Sequence, residues 1–233
     1  MSENNSEVGI RFFGTMMASI SHELKNRVAI IKEYAGLLSD YSEMAAQGRE
    51  IDMARLGKLG KSIDEQVLMT DEIIKKMNRF SHSVDDILRP VDVSDLLGLL
   101  IALAKRSADR HRIELKLATS SSPISITTSP FFLMNLLWLC LRAIFQNADQ
   151  PSTVEVSAIL GGEHKCLITF NIKELEPNSE SVAEAPSGLK FLSEAIEANI
   201  EYKLKEGEIL IHLPADVTDK NRLTNHGQTK NNV

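Results

Sequence analysis

The sequence predicts an α+β protein in two parts: an N-terminal antiparallel helical hairpin, suited to forming a four-helix bundle in a dimer, and then an α/β sandwich. Three observations carry this. Between Phe13 and Ile87 the apolar residues recur every three or four positions, the spacing of a helical seam. Pro90 ends that pattern. Beyond it, helical stretches alternate with short runs in which apolar and polar residues take turns, the period of half-buried strands.

The first seam runs through Phe13, Met17, Ile20, Leu24, Ile31, Ala35 and Leu38. The small and polar stretch Ser39 to Glu50, with Gly48, predicts the turn. A second seam follows at Leu56, Leu59, Ile63, Ile73, Met77, Phe80, Val84 and Ile87, with Gln66 and Thr70 between. Gly57 and Gly60 weaken its first turns by about 1 kcal/mol each relative to alanine. One hairpin cannot bury both seams, so a homodimer is expected on packing grounds.

Past Pro90 a helix is expected from Val91-Asp92-Val93 to Ala104, a strand at 113–117 and a loop at 120–123. Pro130 starts an apolar helix ending near Gln146. Strands at 154–160 and 166–172 are joined through Gly161-Gly162, and 175–186 is a loop. A helix at 188–198 and a hairpin at 200–213, turning at Glu206-Gly207, complete a layer of helices on a mixed sheet. The domains are therefore 9–89 and 91–215, with a polar, Asn-rich tail at 216–233 expected to be disordered.

Composition narrows the function classes. A formal net charge of −6 with scattered basic residues gives no electrostatic support to nucleic-acid binding. The polar, acidic start Met1 to Glu7 is unlike a signal peptide. The longest apolar run, 131–145, is too short for a bilayer and is interrupted by Asn135 and Arg142. Cys140 and Cys166 lie in apolar surroundings and read as buried, reduced thiols. A cytoplasmic protein, with no membrane association and no nucleic-acid partner, is expected; its signal would come from another soluble protein. The dispersed His82, His111, His164 and His212 suggest no metal site, and Phe131 to Trp138 read as core packing rather than a cofactor box.

The chemistry concentrates in Ser21-His22-Glu23-Leu24-Lys25-Asn26. His22 falls between Ile20 and Leu24, off the seam, and shares its face with Asn26 and Ser19. An exposed imidazole is partly neutral near neutral pH, so one ring nitrogen is a usable nucleophile. A carboxylate such as Glu23 at the other nitrogen would fix the tautomer and stabilise developing positive charge. Lys25 or Arg27 would offset phosphoryl charge. Taken alone, the pattern also describes an ordinary surface histidine.

Met17-Ala18-Ser19-Ile20-Ser21-His22-Glu23-Leu24-Lys25-Asn26 resembles the phosphoacceptor helix of two-component sensor histidine kinases. Met77-Asn78-Arg79-Phe80-Ser81-His82 resembles the end of their second dimerisation helix. Val91-Asp92-Val93 through Ile113-Glu114-Leu115, and Gly188-Leu189 through Pro214, resemble the entry and the last helix and hairpin of their ATP-binding domain. The departures from that family lie in the nucleotide site. The resemblance aligns the two expected asparagines of the metal-binding helix with Leu139 and Ala143, although Asn147 one turn later leaves a shifted register open. Where an adenine-binding Asp-x-Gly-x-Gly is expected, the chain reads Lys173-Glu174-Leu175-Glu176-Pro177, and the last glycine motif has shrunk to Ser187-Gly188-Leu189. Glycines in such loops let backbone N–H groups approach phosphates.

The resemblance therefore implies a dimeric histidine phosphotransferase of a phosphorelay, with a degenerate ATPase-like domain. Its partners would be response-regulator receiver domains, with Mg²⁺ supplied by the regulator; no cofactor or resident metal, and no ATP, is expected. The regulator's footprint would cover Ser19, Ala29, Ile30, Glu33, Tyr34 and Leu37 and part of the second helix. Alternatives are a non-catalytic pseudokinase scaffold, a phosphatase for an aspartyl phosphate with Asn26 orienting water, and an ATP-using kinase working through Asn147 or an unrecognised site.

Overall fold

The structure, a computed structural model, describes residues 5–119, 123–147, 152–161, 165–173, 186, 188–203 and 206–217. The chain forms two compact units: Met17–Ser81, and the described residues of Met1–Met16 with those of His82–Val233. The first turns of the long N-terminal helix thus group with the sandwich.

The hairpin consists of α1 (Asn5–Ala46) and α2 (Met53–Ser81). Helix α1 continues through the stretch where a turn is expected from Ser39. No proline or glycine interrupts 39–47, and Tyr41 and Met44 extend the half-buried stripe of Tyr34 and Leu38. The turn comes only at Gly48, whose φ of 75° is the left-handed conformation that ends helices. There the Gly48 N–H donates to Ala45 O at 2.9 Å and the Arg49 N–H to Met44 O at 3.1 Å, satisfying carbonyls of the last turn. Asp52 then caps α2, its Oδ1 accepting from Ala54 N at 2.9 Å.

The seams differ from expectation at their ends. The buried stripe of α1 starts earlier, at Val8, Phe12, Met16 and Ile20, while Phe13 and Met17 are half-buried and Ala35 is exposed. The reason is visible within the sandwich unit: the Phe12 ring lies 5.5 Å from the Phe131 ring, and Val8 sits on Gly188. At the other end, α2 stops at Ser81 instead of Pro90, followed by a single 3-10 turn at His82–Val84. The Ser81 hydroxyl donates to Met77 O and Asn78 O in the last turn. Val84 and Ile87 are consequently off the seam, each 50% exposed.

In the sandwich unit the elements are β1 (Arg89–Asp92), α3 (Val93–Arg110), β2 (Ile113–Leu117), β3 (Ser125–Thr128) and α4 (Pro130–Asn147). They are followed by β4 (Ser152–Gly161), β5 (Lys165–Lys173), α5 (Leu189–Ala195), β6 (Asn199–Lys203) and β7 (Glu208–Pro214). The main sheet has the order β2-β4-β5-β7-β6, antiparallel except for the parallel β2–β4 pair. Sequence patterning misses β1 and β3, which pair antiparallel with Val91 opposite Ile126. Each has four residues, too few for alternation to stand out.

Asp92 caps α3 by accepting from Asp95 N at 3.0 Å. Beyond β7 the chain stays in register past the expected start of the tail: Asp216 bridges Thr127, and the Val217 N–H donates to Thr127 O at 3.0 Å. Val217 is buried. Most of the loops expected at 120–123 and 175–186, part of the Gly161-Gly162 turn and the tail beyond Val217 lie outside the described residues.

The core is one layer of helices on one sheet face. Val154, Val156 and Ala158 of β4 point inward with Cys166, Ile168, Phe170 and Ile172 of β5 and Ile209, Ile211 and Leu213 of β7. Helix α4 packs beside both α3 and α5, and nearly every side chain from Leu133 to Phe145 is buried. A helix apolar all round is stable only when covered on all sides.

Two glycines give opposite expectations. Gly207 has φ 75° and a Cβ placed there would stand 2.8 Å from the Ile172 carbonyl oxygen. Gly207→Ala should destabilise the protein by about 1–3 kcal/mol. Gly57 sits in α2 with open space around it, so Gly57→Ala should stabilise by about 0.5–1 kcal/mol. Denaturant melts of the two variants would check both signs.

Candidate functional site

His22, Glu23, Lys25 and Asn26 all lie on α1 and are exposed. The Asn26 amide nitrogen is 3.3 Å from His22 Nδ1, the i to i+4 contact of a helix face. The ring nitrogen is therefore met by the amide of Asn26, where the sequence reading has a carboxylate. An amide can serve the ring in two ways. With its NH₂ toward Nδ1, the neutral ring carries its proton on Nε2. Turned over, Oδ1 accepts from Nδ1–H and leaves the Nε2 lone pair free toward solvent. Only the second orientation presents Nε2 as a nucleophile.

Arg27 is drawn away from this face. Its Nη1 donates to Gln66 Oε1 at 3.1 Å, a bond between the two helices of the hairpin. That bond ties the two helices together at one level, and Ile20 and Ile73 are both buried. It also gives a purpose to Gln66, which otherwise only interrupts the apolar seam. Lys25 remains the exposed cation beside His22.

Of the expected docking residues, Ala29, Glu33 and Leu37 are exposed, and Ser19, Ile30 and Tyr34 are half-buried. Exposed Val28 adds to this surface. Helix α2 exposes Val67, Leu68, Met69 and Ile74. Sequence reasoning passes over these because they fall off the predicted seam; only the lack of a covering layer reveals them. Within Met17–Ser81, Ile20, Ile73 and Phe80 are the only buried apolar side chains, so the hairpin leaves much of its apolar surface in water.

The sandwich unit has an apolar interior where the family resemblance would put metal and phosphate ligands. Leu139 and Ala143 are buried in α4. Asn147 turns its amide back on its own helix, donating to Ala143 O at 2.7 Å. Asn135 is wholly buried, and neither amide atom meets a hydrogen-bond partner among the described residues. At Gly188, φ 87°, the Val8 methyls lie 2.8 and 2.9 Å from where a Cβ would be, so the close approach that this glycine permits is taken by an aliphatic side chain of α1. The residues aligned with adenine recognition, 174–177, lie outside the described residues. Among the described residues no group of three or more His, Cys, Asp or Glu side chains is arranged to hold a metal ion, and no helix is long and apolar enough to cross a membrane.

Both cysteines are free and buried. Burial raises the Cys140 thiol to about 12 and the Cys166 thiol to about 11, from an ordinary value of 9.0. Tyr202, whose hydroxyl is buried near Cys140, is pushed up as well, by burial first and by that thiol second. Because the folded thiols stay protonated where unfolded ones ionise, their linkage leaves stability untouched below 9.0 and erodes it as pH rises toward 11 and 12. Both thiols should resist alkylation in the native protein at mildly alkaline pH and react promptly in denaturant, as mass spectrometry would reveal.

No protein-family model matches this sequence, and no curated protein is significantly similar to it. Solved structures offer distant likenesses. The histidine kinase AdeS of Acinetobacter baumannii is 13% identical with a TM-score of 0.45, over 83% of this chain and 98% of that one. The blue-light activated histidine kinase EL346 of Erythrobacter litoralis is 13% identical with a TM-score of 0.44, over 86% of this chain and 62% of that one. Histidine kinase ThkA, solved in complex with the response regulator TrrA, is 15% identical with a TM-score of 0.42, over 88% of this chain and 63% of that one. At such scores these are likenesses of outline.

Proposed function

We propose that this protein is a phosphorelay histidine phosphotransferase. It takes a phosphoryl group from the aspartate of one response regulator onto His22 and hands it to another regulator, without using ATP. The observation that carries this reading is an exposed imidazole with an amide at Nδ1, on a helix whose flank is partly apolar. Three further features support it. Apolar, buried residues stand at Leu139 and Ala143. Val8 fills the space over Gly188. The hairpin has bare apolar side chains on both helices, a surface for a second copy and a regulator to share.

In the transfer, the Asn26 amide oxygen accepts from Nδ1–H and keeps the lone pair on Nε2. Nε2 attacks the phosphorus in line, and the regulator's carboxylate departs with the bonding electrons. The ring gains positive charge, which Glu23 beside it offsets, while Lys25 faces the phosphoryl oxygens. Mg²⁺ belongs to the regulator. Aspartyl phosphate and phosphohistidine are both energy-rich, so positioning and charge stabilisation carry the step.

The test mixes the purified protein with radiolabelled, phosphorylated receiver domains from the same genome. Label should move onto His22 and from there to a second receiver. His22→Gln should abolish label on the peptide that carries residue 22 and its passage to the second receiver, and Asn26→Ala should slow both. Failure to take label from any receiver rules the relay out. Phosphate released by His22→Gln but not by Asn26→Ala would identify a phosphatase instead, and biological function surviving His22→Gln would identify a scaffold.

A further inference from the structure

The chain carries a second histidine built more completely for nucleophilic work than His22. In the 3-10 turn after α2, His82 Nδ1 stands 2.6 Å from Asp85 Oδ2. Both side chains are open to water, 72% and 58% exposed. The mount beneath them is fixed: Ser83 between them is buried, the turn packs against α4, and the Asp85 N–H donates to His82 O at 3.4 Å. A carboxylate accepts and cannot donate, so in the neutral ring the proton sits on Nδ1 and the lone pair on Nε2. Unlike the amide at His22, Asp85 allows no second tautomer. It also supplies full negative charge where a ring substituted at Nε2 becomes cationic.

We propose that His82 is a second phosphoryl-acceptor site, with Nε2 as the nucleophile, Asp85 as its positioning residue and an acyl phosphate as the donor class. The Nε2 lone pair attacks phosphorus. The bond between phosphorus and the acyl oxygen breaks, its electron pair leaving on a free carboxylate. The new N–P bond leaves the ring positively charged, with its proton still on Nδ1 and held by Asp85. No proton is exchanged with solvent and no further reactant is consumed. The inference does not depend on His22 taking part in a relay.

The full chain, as wild type and as His22→Gln, is incubated with radiolabelled acetyl phosphate and digested at neutral pH for peptide mapping. His22→Gln should keep acid-labile, alkali-stable label on the peptide containing His82. The His22→Gln, His82→Gln double variant should lose it. Asp85→Asn should label about tenfold more slowly, the scale of losing a residue that orients a histidine, and Asp85→Glu should restore much of the rate. Nitrogen NMR should report His82 as the Nδ1–H tautomer in the wild type and as a mixture in Asp85→Asn. A merely structural ion pair would leave the labelling rate unmoved. The proposal is overturned by absence of label on the His82 peptide in His22→Gln, by label confined to other residues, or by an unchanged rate in Asp85→Asn.

Discussion

Helix α4 is buried almost all round, with Arg142 and Gln146 its exposed residues, and the architecture of the sandwich unit follows from that. Water must be removed from nearly its whole circumference, so the sheet lies under it, α3 and α5 flank it, and the turn at His82–Val84 packs against it. Burying a leucine is worth about 1.5–3 kcal/mol, and Leu133, Leu136, Leu137 and Leu141 are all fully buried. The same requirement limits chemistry. Leu139 and Ala143 are core residues, and the one asparagine in the body of the helix, Asn135, is enclosed with no hydrogen-bond partner among the described residues. An interior closed in this way is built for packing.

The hairpin has the opposite economy. Two helices bury only the narrow strip where they meet, and the Arg27–Gln66 bond sets the level at which they meet. Exposed apolar residues remain on α1 at Val28 and Leu37 and on α2 at Val67, Leu68, Met69 and Ile74. This is the physical setting of His22: an open helix face, beside apolar surface that another chain would cover, with a neighbouring amide that can hold either of two tautomers. His82 sits on a tighter mount with a carboxylate that holds only one.

Much of this could be read in the sequence because it depends on local periodicity. The strand β2, helix α4, the β4–β5 pair and the last hairpin with its turn at Gly207 fall within a few residues of expectation, while the helices α1, α2 and α3 are found with ends displaced by six residues or more. The common face of His22 and Asn26 is also as expected, because helical spacing dictates it. The misses share one cause. The start of the buried stripe at Val8, the end of α2 at Ser81, the pairing of β1 with β3 and the ordered Val217 all rest on partners distant in sequence. His82 and Asp85 are three positions apart, close enough to meet in a helix or a 3-10 turn, and the seam drawn through Val84 and Ile87 passes over them.

The sequence by itself determined which segments are helical and which extended, that α4 must be buried and that His22 must face outward, because each follows from the spacing of apolar side chains along one element. Tertiary structure alone decided which groups meet across elements. It gave Gln66 to Arg27, and it set Val8 over Gly188. Those choices depend on rotamers and on contacts at angstrom scale, which periodicity does not encode.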